Sequence, residues 1–133
     1  MRKFLLFILF ACVLNGCSHD DREQANYVLM PVESADVPTN MAVGETAEIT
    51  VYYRRPTDCH FFDDFFIEHS GLTTTIGIQA VVMNRDDCME DSANLYEVDY
   101  IFTPESIGDY HFKLWTGTEN GIAQYQEYTV IVE

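Results

Sequence analysis

Between Thr46 and Phe102 the chain alternates apolar and polar residues with a period of two, and this alternation restricts it to half-buried strands. Thr46 to Arg54 sets Ala47, Ile49, Val51 and Tyr53 on one face and Glu48, Thr50 and Tyr52 on the other. Thr73 to Met83 places Ile76, Ile78, Ala80 and Val82 together, and Tyr96, Val98, Tyr100 and Phe102 stand against Glu97 and Asp99. Tyr110, Phe112 and Leu114 oppose His111, Lys113 and Trp115. A short strand at Tyr27–Val32, ended by Pro31 and the turn-rich stretch 34–40, opens the series, and Tyr125–Val132 closes it. Turns are predicted at 43–46, 103–108 and 116–121, with a polar loop at 84–94. The fold predicted is all-β, an antiparallel β-sandwich of about seven strands.

The segment Cys59 to Glu68 (CHFFDDFFIE) strains that alternation. Phe61, Phe62, Phe65 and Phe66 cannot all face inward on one regular strand, so a bulge at Asp63-Asp64 redirects them or some stay exposed. Exposed aromatic rings are what carbohydrate and protein partners stack against. Phe61, Phe62 and Trp115 are therefore the candidate ligand-binding residues, with Tyr52, Tyr53 and Tyr125 as further aromatics in other strands.

The N-terminus has a different character. Arg2 and Lys3 precede an apolar run of 11 residues, Phe4 to Leu14, followed by Asn15-Gly16-Cys17. The run suits a signal-peptide core and is shorter than the ~20 residues of a membrane-crossing helix. Leu14, Gly16 and Cys17 resemble a bacterial lipobox, with Leu at −3, Gly at −1 and Cys at +1. The resemblance implies that residues 1–16 are cleaved and that Cys17 is diacylated and anchors the protein in a membrane. Residues 17–26 then form the lipidated cysteine and a polar tether, ahead of a single domain at 27–133. Asp20, Asp21 and Glu23 directly after the cysteine resemble the export signal of Bacteroidota surface lipoproteins. That implies the outer membrane, on its cell-surface side or its periplasmic face.

Removing residues 1–16 takes away two bases and no acid, which moves the formal net charge from −15 to −17. Such a chain repels phosphate backbones, and nucleic-acid binding by a basic footprint is not expected. Adsorption to anionic lipid is disfavoured too, leaving the lipid chains as the membrane contact.

Cys59 and Cys88 remain once Cys12 leaves with the signal peptide and Cys17 is lipidated. A disulfide between them is the expectation in an envelope compartment. The alternative is a two-cysteine metal site, although no histidine pair at finger spacing accompanies them.

Pro104 to Phe112 (PESIGDYHF) is similar to the E–F corner of immunoglobulin-like domains, where a Gly-x-Tyr step opens a strand. The resemblance makes Tyr110 the corner tyrosine, its hydroxyl bonded to upstream backbone. The antibody-type cysteine pair is absent, since Cys59 and Cys88 fall elsewhere. Residues 27–133 resemble small bacterial lipoproteins with one immunoglobulin-like domain, a group that brings no established activity.

Catalytic signals are poor. No serine sits in a Gly-x-Ser-x-Gly elbow, and His69-Ser70 are adjacent strand residues pointing to opposite faces. Paired acids are abundant, and calcium is their best use: Asp63, Asp64, Asp86, Asp87, Glu90 and Asp91 are candidate ligands, drawn towards each other if Cys59 and Cys88 join. No cofactor is otherwise expected. The functional expectation is a non-enzymatic, outer-membrane-anchored module for adhesion, ligand binding or an accessory role, with a protein or carbohydrate partner. The alternatives are an inhibitor of a secreted enzyme, presenting 116–121 as a loop, or a structural subunit of an envelope complex.

Overall fold

A computed structural model describes residues 25–133. The expected signal peptide, Cys17 and the expected tether up to residue 24 lie outside the described residues. Nine strands follow in order: β1 Ala25–Met30, β2 Val32–Asp36, β3 Asn40–Met41, β4 Ala47–Tyr53, β5 His60–Ser70, β6 Thr73–Met83, β7 Tyr96–Phe102, β8 Gly108–Glu119 and β9 Ile122–Val132. They form two sheets packed as a β-sandwich, the larger holding β1, β3, β5, β6, β8 and β9 and the smaller β2, β4 and β7.

Strand β6 organises the larger sheet. One of its edges carries β5 throughout. The other is divided between β8, parallel to it over Thr73–Ile76, and β1, antiparallel to it from Ile78 to Met83. Beyond β8 come β9, antiparallel, and β3, parallel to β9. Five ladders are antiparallel, so the expected antiparallel pattern holds except at β6–β8 and β3–β9.

Two strands are additional to the expected seven: β2, divided from the first strand at Pro31, and the short β3 at Asn40–Met41, at the end of the stretch expected as turn. Pro31 does not end the first strand; it separates β1 from β2, and there the chain passes from the larger sheet to the smaller. A residue without an N–H is tolerated at such a switch because neither ladder needs its donor. Ser34 to Asp36, expected in a turn, therefore pair with β4. Strand β1 also begins two residues ahead of the expected domain start at Tyr27.

Likewise 116–121 is not a loop. β8 runs to Glu119 through a bulge between Trp115 and Gly117, and only Asn120 and Gly121 turn. Both have positive φ, 50° and 77°, as a two-residue hairpin twisted like its strands requires.

The inner faces supply one core. Ile76, Ile78 and Ala80 of β6, Phe112 and Leu114 of β8, and Val130 and Val132 of β9 meet Ile49, Val51 and Tyr53 of β4 and Phe102 of β7. Phe112 is fully buried two residues after Tyr110, the place where antibody domains carry their second cysteine. Edge-to-face ring contacts run from Phe62 to Phe65, Tyr100, Phe112, Phe102 and Tyr110, with centroids 4.9–6.4 Å apart. Tyr110 makes the expected corner. Its hydroxyl accepts from the Ser106 N–H at 3.3 Å and donates to the Ser106 carbonyl at 3.2 Å.

Candidate functional site

Strand β5 shows how the four phenylalanines are accommodated. Phe62 pairs with Ala80 and Asp64 with Gln79, so Asp63 is the extra residue of a bulge. The bulge shifts the alternation by one position. Phe62 and Phe65 both turn inward against the core, while Phe61 and Phe66 stay outside. Of the candidate ligand-binding residues, Phe62 is thus a core-facing residue and not a surface one. Phe61 and Trp115 do lie on the outer face of the larger sheet. Tyr53 is likewise in the core, and Tyr52 faces out from the smaller sheet.

Phe61 does not stand alone. Across the strands it is in register with Val81, which is in register with Tyr27. Two rows further, beyond Gln79, which donates to Asp63 at 2.8 Å, Gly77 lies between Phe66 and Leu29: a Cβ there would be 3.6 Å from Phe66 Cβ and 3.7 Å from Leu29 Cδ2. Tyr27, Leu29, Phe61 and Phe66 are 64%, 44%, 41% and 45% exposed, which makes this a surface and not a poorly covered core. The row of β8 and β9 continues it with Trp115 opposite Tyr125. Cations flank the ends, the Arg55 guanidinium 5.9 Å from the Phe61 ring centre and the Lys113 ammonium 4.5 Å from that of Tyr125. Neither β1 nor β6 carries a charged residue.

The outer face of the smaller sheet is acidic. It presents Asp36, Glu48, Glu97 and Asp99, and β2, β4 and β7 contain no Lys or Arg. Thr50 donates to Asp99 at 2.7 Å and Tyr52 to Asp36 at 2.8 Å. The hydrogen bond to Asp36 raises the Tyr52 phenol above its ordinary value, with Glu97 and Asp99 adding to the negative field. The outer face of the larger sheet bears acids too, Asp63, Glu68, Asp109 and Glu127, so the two faces differ in the aromatic cluster around β6 and not in acid content.

Sequence reasoning missed Tyr27, Leu29 and Phe66 as members of this surface. The signal was the absence of charge in 25–30 and 73–83, strands whose outward positions would ordinarily be polar. What was not readable was that β1 and β5 flank the same strand.

The acidic candidates are placed differently from the expectation. Cys59 and Cys88 are joined, with Cα atoms 5.6 Å apart. The bond brings the segment 54–59 against the β6–β7 loop, as expected. Asp58 N–H donates to the Met89 carbonyl at 3.0 Å and Met89 N–H to the Asp58 carboxylate at 2.9 Å. Yet the six carboxylates do not gather. Asp63 accepts from Gln79, Asp64 from the Phe65 N–H, Asp87 from Arg85 and Glu90 from Ser92, and Asp86 is exposed in the loop. Asp91 accepts from Tyr96, Asn94 and Arg55, an environment that lowers its carboxyl to about 2. Among the described residues, the one set of three potential ligand side chains within 4.8 Å of one another is Asp58, Cys59 and Cys88. Its two sulfurs are in the disulfide, so the set offers a metal a single carboxylate.

A cleft of about 500 Å³ opens where the β5–β6 turn approaches the β7–β8 corner. His69 and Tyr110 line it, but His69 Nδ1 bonds Thr74 Oγ1 at 3.1 Å, not Ser70. The Tyr110 hydroxyl is occupied at Ser106.

No family model, curated protein or solved structure matches the chain.

Proposed function

We propose that this chain is a lipid-anchored, non-enzymatic module of the outer membrane that works through the outer face of its larger sheet. The carrying observation is the set of exposed Phe61, Tyr27, Phe66 and Leu29 gathered around the charge-free central strand β6, with Val81 between Phe61 and Tyr27. Isolated exposed apolar side chains need no explanation, but a set gathered on and around the charge-free β1 and β6 marks an interaction surface. The anchor is the lipobox-like Leu14-Asn15-Gly16-Cys17. The resemblance to small bacterial lipoproteins with an immunoglobulin-like domain supports the same assignment, and so does the corner at Tyr110.

Two substitutions test the two halves. Cys17→Ser removes the acylated thiol and should release the domain from the membrane fraction; a variant that stays as firmly bound as the parent contradicts the anchor. Phe66→Ser leaves the core intact and should abolish whatever binding the module shows. Binding retained by that variant places the function on another surface.

One observation favours a second reading. Strand β5 is the outermost strand of the larger sheet over 11 residues, and an open edge can accept a partner strand in an envelope complex. For the inhibitor reading, 116–121 is a hairpin end with a two-residue turn in place of the expected loop.

A further inference from the structure

We infer that the partner of this outer face is the lipid bilayer itself, so that the sandwich lies on the membrane with the outer face of its smaller sheet towards water. The inference rests on the anchor at Cys17 and names what the proposed surface touches. Two observations carry it.

The first is reach. Only residues 18–24 separate Cys17 from Ala25, a span of at most about 29 Å when fully extended. That is shorter than the 11-residue strands of the larger sheet, at ~3.3 Å per residue. The tether also joins the chain at the surface in question: Ala25 starts β1, and Tyr27 and Leu29 lie two and four residues on. A domain held this close does not need a strong patch. Anchoring confines the face near the bilayer and raises its effective concentration there, so modest apolar contact suffices to orient it.

The second is composition. Tyr27, Trp115 and Tyr125 together with Leu29, Phe61 and Phe66 combine apolar bodies with polar tips, the mixture that settles at a membrane–water interface. Lys113, beside Tyr125, has a stem long enough to keep its ammonium among headgroups while its methylenes follow the rings.

Trp115 is the single tryptophan of the chain and lies on this face, so it reports on the contact directly. The lipidated full-length mature protein is reconstituted into phosphatidylcholine vesicles with and without bromine on the acyl chains. We expect Trp115 emission to be blue-shifted and to lose most of its intensity in the brominated vesicles. Leu29→Asp combined with Phe66→Asp should restore emission to its unbrominated level while the protein still floats with the vesicles. Tyr27→Asp, at the most exposed position of the four, is the second variant and should restore it in part without touching the core. Unquenched Trp115 in protein that floats with the vesicles overturns the inference while leaving the anchor in place. Trp115 shielded instead by a second copy, seen as cross-linked pairs and no bromine quenching, overturns it equally. Protein that fails to float shows that the anchor is wrong, and the inference falls with it.

Discussion

Tyr96 donates its hydroxyl proton to the Asp91 carboxylate at 2.6 Å and accepts a bond from Arg55 Nη2 at 2.8 Å, while the Arg55 guanidinium sits 4.2 Å from its ring centre. Three segments meet there: the chain after β4, the β6–β7 loop and the first residue of β7. Arg55 also donates to Asp91 directly, so the carboxylate is held in its charged form from several sides.

This arrangement makes a pH prediction. The bond from Tyr96, then those from Asn94 and Arg55, lower the Asp91 carboxyl from its ordinary 3.8 to about 2. A carboxyl more acidic in the folded than in the unfolded chain stabilises the fold above its unfolded value and stops doing so as pH falls through the folded one. The melting temperature of the parent should therefore exceed that of Asp91→Asn at neutral pH, and the gap should close between about pH 4 and pH 2. Thermal melts of both proteins across that range check it. A gap that stays constant with pH would mean Asp91 acts through shape and not through charge.

The disulfide carries the next expectation. Cys59 and Cys88 lie 29 residues apart, and closing a loop of that size stabilises by about 3–4 kcal/mol in the chain-entropy model. The segments they join also exchange backbone bonds, Asp58 with Met89 and Asp91 with Pro56, so the unbridged loop keeps a path home. In native, unreduced protein neither thiol should react with an alkylating agent, and reduction should lower the melting temperature while the protein remains folded at 25 °C. Two labelled thiols in native material would contradict the bridge.

How far the sequence could be read depended on whether a feature was local. Alternation is local, and it placed Thr73–Met83 and Tyr96–Phe102 with the bounds observed. The corner at Gly108-Asp109-Tyr110 and the bulge in CHFFDDFFIE were readable for the same reason: a ring that must bond four residues upstream, or four rings that cannot share one face, shows within ten residues. Pairing is not local. Nothing in Ala25–Met30 says that it shares an edge of β6 with β8, or that β6 runs parallel to β8, and the aromatic surface exists only because of that order. Trp115 could be placed outside by alternation, yet its neighbours could not be named. The acidic clusters failed for a further reason. Acids brought near by a disulfide were given partners by Arg85, Tyr96, Asn94 and Arg55, which alternation does not see.

Two strand glycines should respond in opposite ways to one methyl group. Gly108 has a φ of +143°, and a Cβ there would be 2.8 Å from Leu72 Cδ1, so Gly108→Ala should destabilise by about 1–3 kcal/mol. Gly77 has an ordinary strand backbone, and its Cβ would meet Phe66 and Leu29 at van der Waals distance. Gly77→Ala should be neutral or stabilising by up to ~1 kcal/mol through a less flexible unfolded chain. Denaturant melts of both variants decide it, and equal losses would show that the two backbones are not as different as described.

Tyr110 tests the corner itself. Its ring packs edge-to-face on Phe102 with centroids 5.1 Å apart, and its hydroxyl is bonded to the N–H and the carbonyl of Ser106. The ring is half-buried and Ser106 is exposed, so water replaces part of what a lost hydroxyl takes away. Tyr110→Phe should accordingly cost about 0.5–1.5 kcal/mol, the net value of a protein hydrogen bond. Tyr110→Ala removes the ring contact as well and should cost ~2–4 kcal/mol, towards the lower end of large-to-small core changes. Denaturant unfolding of the three proteins under one set of conditions gives both differences. If the Phe variant matches the parent while the Ala variant does not, the tyrosine serves the fold only as a ring, and the hydrogen-bonded corner loses its role in joining β7 to β8.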